Sequence, residues 1–238
     1  MKTLVANWKM NMLYDDFKKY FNFFLSNNIK KDKKIIFCLP YIFLHDAVIF
    51  TNDYPEIKIF AQNCHYEKFG AFTGEISCKM LKSIGVSGSI IGHSERRLLG
   101  ETSDLINKKL KSLLNEKMSA IFCIGERLDE RSIVKKVIEK QIFYGLNGIK
   151  NIENIIFAYE PVWSIGSNDK VQTENIEKVS EIVSNFCKEN YDGNLNLLYG
   201  GSVNEENFKE IIKLKNINGV LVGRASIDIS SFENMLDY

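Results

Sequence analysis

Short, nearly continuous apolar runs alternate along this chain with stretches whose apolar residues recur at helical spacing. The runs occupy residues 3–6, 35–39, 57–61, 89–91, 120–124, 155–159, 195–199 and 219–222. Because polar residues do not alternate within them, they predict strands buried on both faces, as in a parallel sheet. Phe17, Tyr20, Phe21, Phe24 and Leu25 predict a helix over residues 14–25. Comparable faces follow at Phe43, Leu44, Ala47 and Val48, over residues 78–84, from Leu105 to Leu114, from Ile133 to Ile142, from Ile176 to Phe186, and at Phe208, Ile211 and Ile212. Units of about 30 residues, each a strand and then a helix, have the size of one βαβ element, and no low-complexity linker separates them. They predict an α/β fold, a closed (β/α)8 barrel spanning residues 1–238 as a single domain. An open doubly wound sheet is the alternative. It requires a glycine-rich nucleotide turn after the first strand, and Ala6-Asn7-Trp8-Lys9 stands there instead.

At 238 residues and 45% hydrophobic composition the chain can bury a large core. A formal charge of +1, from 31 basic and 30 acidic residues, points to neither nucleic acid nor an anionic membrane as a partner. Cys38, Cys64, Cys78, Cys123 and Cys187 are scattered, without CxxC spacing, which fits a reducing cytoplasm and a packing role. His45, His65 and His93 lie in separate segments without metal-ligand spacing, so no metal is implied. The apolar start is too short for a signal-peptide core, and residues 35–44, interrupted by Pro40, are too short for a membrane span.

In a barrel of parallel strands the residues just beyond each strand converge on one face. These are Asn7 and Lys9 after the first strand, His93 and Glu95 after the fourth, Glu160 after the sixth, Ser202 after the seventh, and Gly223 after the eighth. Glu160 leaves an apolar strand beside Pro161 and Trp163, where lost hydration raises a carboxylate's pKa toward values useful for proton abstraction. A helix cap or a surface ion pair is the competing role for it. Glycine turns at 200–202 and 223–226, after the last two strands, allow backbone N–H groups to approach a phosphate. Lys9, His93 and Glu160 together supply a base for an α-carbon proton and electrophiles for the developing oxyanion, a set that needs no cofactor. A phosphate-binding lyase or synthase, or a barrel kept only for binding, are the other classes, and this set argues against both. The long segment from Gln62 to Glu75 carries Phe69, Ala71 and Phe72 beside Gly70 and Gly74. A loop of that size is expected to be functional or covered by a partner.

ANWKMN at 6–11, GAFTGE at 70–75, IGHSERR at 91–97, AYEPVWSIG at 158–166 and YGGSV at 199–203 occur in one order over essentially the whole chain. In these stretches the chain resembles the triosephosphate isomerase family. The resemblance implies interconversion of dihydroxyacetone phosphate and glyceraldehyde 3-phosphate by a homodimer without cofactor. It implies Glu160 as the proton-shuttling base and His93 as a neutral electrophile, its charge disfavoured by a helix N-terminus. Lys9 would compensate substrate charge, Asn7 position substrate, and Glu95 act as a supporting carboxylate. Backbone N–H groups of Gly166, Ser202, Gly223 and Arg224 would hold phosphate, with residues 161–171 as a lid. Departures from the family pattern stand at Ser164, Asn168, Asp169 and Arg224. Arg224, where many members have glycine, is expected to be strained if that position needs a positive φ. Residues 127–134 look shorter than usual and are expected to trim an outer loop without touching the site.

Overall fold

The computed structural model describes residues 2–26, 33–164 and 172–236. Within them the chain runs β1 (Thr3–Asn7), α1 (Tyr14–Ser26), β2 (Lys34–Leu39), α2 (Leu44–Phe50), β3 (Ile57–Ala61), α3 (Cys78–Ser83), β4 (Gly88–Ile91), α4 (Ser94–Leu98), α5 (Ser103–Asn115) and β5 (Ser119–Ile124). It continues through α6 (Val134–Gly145), β6 (Ile155–Tyr159), α7 (Thr173–Asn190), β7 (Asn196–Tyr199), α8 (Glu205–Ile211), β8 (Gly219–Val222) and α9 (Ile229–Leu236). Every strand pairs in parallel with its neighbours in chain order. The last returns to the first, with Thr3 opposite Gly219 and Ala6 opposite Val222, so the sheet closes into the expected (β/α)8 barrel. Closure requires a near approach at one point: a methyl group on Gly219 would lie 1.9 Å from the Thr3 carbonyl oxygen.

The strands are largely apolar because both faces are covered, the exposed Lys58 within β3 being an exception. Val5, Ile36, Phe60, Ile90, Ile121, Ile156, Leu198 and Leu221 belong to a cluster contributed by strands alone, the filling of the barrel. The alternate residues, such as Leu4, Ile35, Phe37 and Phe157, pack outward against the helices. Trp8, fully buried, meets Tyr20 and Phe21 of α1 edge-on at 4.8 and 5.9 Å, an aromatic geometry that favours one docking of that helix. Two elements go beyond the sequence pattern. α9 follows β8 and buries Phe232 against Phe24 and Phe37 at 6.0 and 5.6 Å, and α4 is a single turn opened by His93. Among the described residues no helix is long and apolar enough to cross a membrane.

Below the barrel mouth a buried ion pair joins three connections. Lys109 of α5 pairs with Glu101 and donates to Asn63 Oδ1 at 2.8 Å, while Glu101 Oε2 accepts the Gly92 N–H at 3.1 Å. Lys109 and Glu101 are 3% and 6% exposed, so each charge depends on the other for compensation. Removing only the lysine strands a carboxylate. Lys109→Met should therefore lower unfolding stability by ~3–5 kcal/mol in urea titration, while the added Glu101→Leu change should restore much of it.

Candidate active site

The site begins with a strained lysine. Asn7 ends β1, is 3% exposed, and uses its side-chain oxygen to accept the Lys9 N–H at 3.1 Å. Lys9 has a φ of 53°, in the left-handed region that side chains other than glycine seldom adopt. Gln62 holds it there from β3's end, donating to the Lys9 carbonyl at 2.9 Å and to the Cys38 carbonyl of β2 at 3.0 Å. This conformation carries the ammonium group to Glu95 Oε1, 2.7 Å away. Partial burial pushes the Glu95 pKa up, but the bond and charge of Lys9 outweigh it and leave the carboxyl below its ordinary value.

His93 follows β4 and caps α4, its Nδ1 accepting the Glu95 N–H at 3.2 Å. A nitrogen that accepts an N–H carries no proton, so the ring proton is assigned to Nε2. That nitrogen lies 3.4 Å from Glu160 Oε1. Glu160 itself is 1% exposed at the end of β6; Oε2 accepts the Ser94 N–H at 3.4 Å, and Oε1 has no hydrogen-bond partner. A buried carboxylate with one uncommitted oxygen is suited to accept a proton from a carbon acid rather than to cap or pair. The backbone around it is close-packed. A methyl on Gly125 would stand 1.7 Å from the Glu160 carbonyl oxygen, and one on Gly200 would stand 2.9 Å from Glu160 Cγ. Side-chain contacts thus join Lys9, Glu95, His93 and Glu160 into one continuous set.

Ser202 and Gly223 complete the mouth beyond β7 and β8. Gly223 lies beside the lysine, since a methyl there would be 3.6 Å from Lys9 Cε. Arg224 is exposed and opens the 3-10 turn Arg224–Ser226. It is not among the described side-chain-bearing residues with positive φ, which are Lys9, Met12 and Lys117, so the strain expected at Arg224 is absent. The turn keeps its φ negative. Ser202 Oγ donates to the Ser164 carbonyl at 2.5 Å. A cavity of about 480 Å³ opens beside Ser202 and Tyr199, between the starts of α7 and α8. Lys9, His93 and Glu160 do not line it, so it flanks the mouth. Gly166, Asn168 and Asp169, with the rest of 165–171, lie outside the described residues.

Some neighbours carry no assignment from sequence. Arg97 donates to the Gly92 and Cys123 carbonyls at 2.8 and 3.0 Å, tying the loop of His93 to β5. The Cys123 thiol faces Glu160, and burial first, then that carboxylate, pushes its pKa well up, so it stays an uncharged S–H. Glu126, 2% exposed after β5, accepts the Trp163 indole N–H at 2.8 Å and the Tyr159 hydroxyl at 3.2 Å. Burial raises its pKa, partly offset by those bonds. Its place directly after Gly125 at a strand end is the signal that would have found it. Residues 127–134 also differ from expectation. Their 3-10 turn, Leu128–Ile133, sets the Arg131 guanidinium 4.4 Å from the Trp163 ring centre, so this connection does reach the flank of the site.

A family model described as triosephosphate isomerase matches residues 2–238. The chain is 40% identical to the triosephosphate isomerase of Aquifex aeolicus, over 99% of this chain and 98% of that protein. It is 40% identical to that of Dictyoglomus thermophilum and 38% to that of Malacoplasma penetrans, again over 99% of this chain and 98% of each relative. Likeness of that extent, from proteins of the same name and over the full length of the barrel, means that this chain belongs to the triosephosphate isomerase family.

Proposed function

We propose that this chain forms one isomerase domain over residues 1–238 that interconverts dihydroxyacetone phosphate and D-glyceraldehyde 3-phosphate through an enediolate, serving glycolysis and gluconeogenesis in the cytoplasm. The observation that carries the mechanism is the water-excluded Glu160 carboxylate, its Oε1 free of hydrogen bonds and 3.4 Å from His93 Nε2. Glu160 takes the proton from the carbon beside the carbonyl as the electron pair moves onto the carbonyl oxygen. His93 donates a hydrogen bond from Nε2 to that oxygen as charge develops. A proton also passes, relayed by His93, from the hydroxyl of the adjacent carbon to the former carbonyl oxygen. Glu160 returns its proton to that adjacent carbon as the relieved oxygen becomes the new carbonyl, so the balance closes without a cofactor. Lys9 offsets the phosphate and enediolate charges, Asn7 orients Lys9 and substrate, and Glu95 holds the ammonium in position. Phosphate is met by backbone N–H groups of Ser202, Gly223 and Arg224, with Gly166 proposed as a fourth donor from the lid. A coupled assay of glyceraldehyde 3-phosphate conversion by the purified protein tests the reading, and an inactive folded protein would reject it.

The substrate partner is a triose phosphate, and the second partner we propose is another copy of this chain. The loop 62–75 is closed at its base by the His65 N–H to the Ile76 carbonyl at 2.8 Å and projects Phe69, 70% exposed, and Phe72, 41% exposed. Connections after β1, β2 and β4 add Met10, Leu13, Ile42, Leu98 and Leu99, all more than 70% exposed. So much exposed apolar surface on the connections that follow the strands favours a homodimer interface.

Glu160→Gln keeps the shape but cannot accept a proton, so kcat should fall by ~10²–10⁴-fold with the fold intact by circular dichroism. Lys9→Ala removes charge compensation and should lower kcat/KM by ~10²–10³-fold, measured by the same assay. Phe72→Glu places a charge in the proposed interface and should shift light scattering at micromolar concentration from dimer toward monomer. An unaltered protein that scatters as an active monomer would contradict the dimer.

A further inference from the structure

Trp163 stands three residues beyond Glu160, in the 3-10 turn Val162–Ser164, and both of its polar partners come from one other connection. Its indole N–H donates to Glu126, and the turn is further held by the Val162 N–H to the Glu126 carbonyl at 3.0 Å. On its open face lies Arg131, the guanidinium 4.4 Å from the ring centre. Arg131 is exposed and Trp163 only half-buried, so the arginine covers a ring that the core leaves partly bare. The turn also reaches the phosphate side of the site, because Ser164 accepts from Ser202 and its own hydroxyl donates to the Pro161 carbonyl at 2.9 Å.

We propose that Arg131 is a positioning residue: by clamping Trp163 against Glu126 it sets the placement of the turn that follows Glu160, and so of the base itself. A guanidinium over an indole is attracted by the ring's negative face, and it also brings positive charge toward a buried carboxylate whose Oε2 lacks a partner. Arg131 and Glu126 both leave the β5–α6 connection, which is fixed by β5 on one side and by α6 on the other. Trp163 is therefore gripped by parts that do not belong to the turn it steadies. Without the clamp the ring and turn gain freedom, and the carboxylate of Glu160 samples poorer geometry for proton transfer. The turns after β7 and β8 keep their own strand anchors, and the Ser202–Ser164 bond is the link between them and the freed turn, so affinity should change less than kcat.

The inference rests on the proposed isomerase reading for its kinetic consequence, but not for the contact. R131A and R131K are compared with the unaltered protein by Trp163 fluorescence, taken as the difference from W163F, by acrylamide quenching, and by kcat and KM for glyceraldehyde 3-phosphate. Trp8 is fully buried and contributes little to quenching. R131A should shift the emission to the red, quench more readily, and lose about 2–5-fold in kcat with a smaller change in KM, the scale of an exposed cation–π contact. R131K, which keeps a cation over the ring, should stay close to the unaltered protein. Unchanged emission and quenching in R131A would overturn the clamp. Altered emission with unaltered kcat, or an effect confined to KM, would overturn the positioning role. A protein without isomerase activity would reject the functional reading alone, since the fluorescence arm needs no turnover.

Discussion

Closure of the sheet is the constraint on which everything else in this chain depends. Parallel strands cannot be joined by tight turns, so each is followed by a connection long enough to return to the other end. With β8 bonded to β1 there is no free edge, and the eight strand ends form a ring. Side chains separated by 151 residues, Lys9 and Glu160, then belong to one contact network through Glu95 and His93. An open sheet would place the same residues along a line, and the ends of the first and sixth strands would not face one another. The same closure fills the barrel interior with side chains, so the mouth has a packed floor rather than a pore.

On that floor the proposed chemistry is organised by unequal treatment of two carboxylates. Glu95 is half-exposed and engaged by Lys9, which holds it ionised and makes it a structural partner for the ammonium. Glu160 is sealed from water and has one oxygen left over. The first arrangement satisfies a charge, and the second leaves capacity for a proton. Lys9 in a left-handed backbone conformation is the local cost of bringing its charge to this place, and Asn7 and Gln62 stabilise it from two different strand ends. A third carboxylate, Glu126, is buried without a cation in direct contact and is used to hold Trp163 and Tyr159.

Strand positions, the helical faces and the order of the site residues along the chain were legible in the sequence. Two-sided burial writes itself as unbroken apolar runs such as IIFAY at β6, and a polar residue directly after such a run marks a strand end. Asn7, Lys9, His93, Glu95, Glu160, Ser202 and Gly223, the residues proposed for the site, all stand within a few positions of such a strand end. Glu126 obeys the same rule but lacked a second signal, such as the neighbouring proline and tryptophan at Glu160. α4 escaped because a single turn is shorter than one hydrophobic period, and α9 because its apolar face lies past the last recognised strand end.

Pairwise geometry belonged to the tertiary structure. No local pattern states that Lys9 meets Glu95, that Gly125 must lack a side chain because the Glu160 backbone passes against it, or that Arg131 reaches Trp163. Nor does local pattern decide the φ of Arg224, which depends on how the turn after β8 folds under it. Sequence patterning determines which residues are buried and which stand at strand ends, because burial and hydrogen bonding act at each position along the chain. Which strand ends become neighbours, and at what distance, is decided only when the barrel closes and side chains from different units compete for the same space.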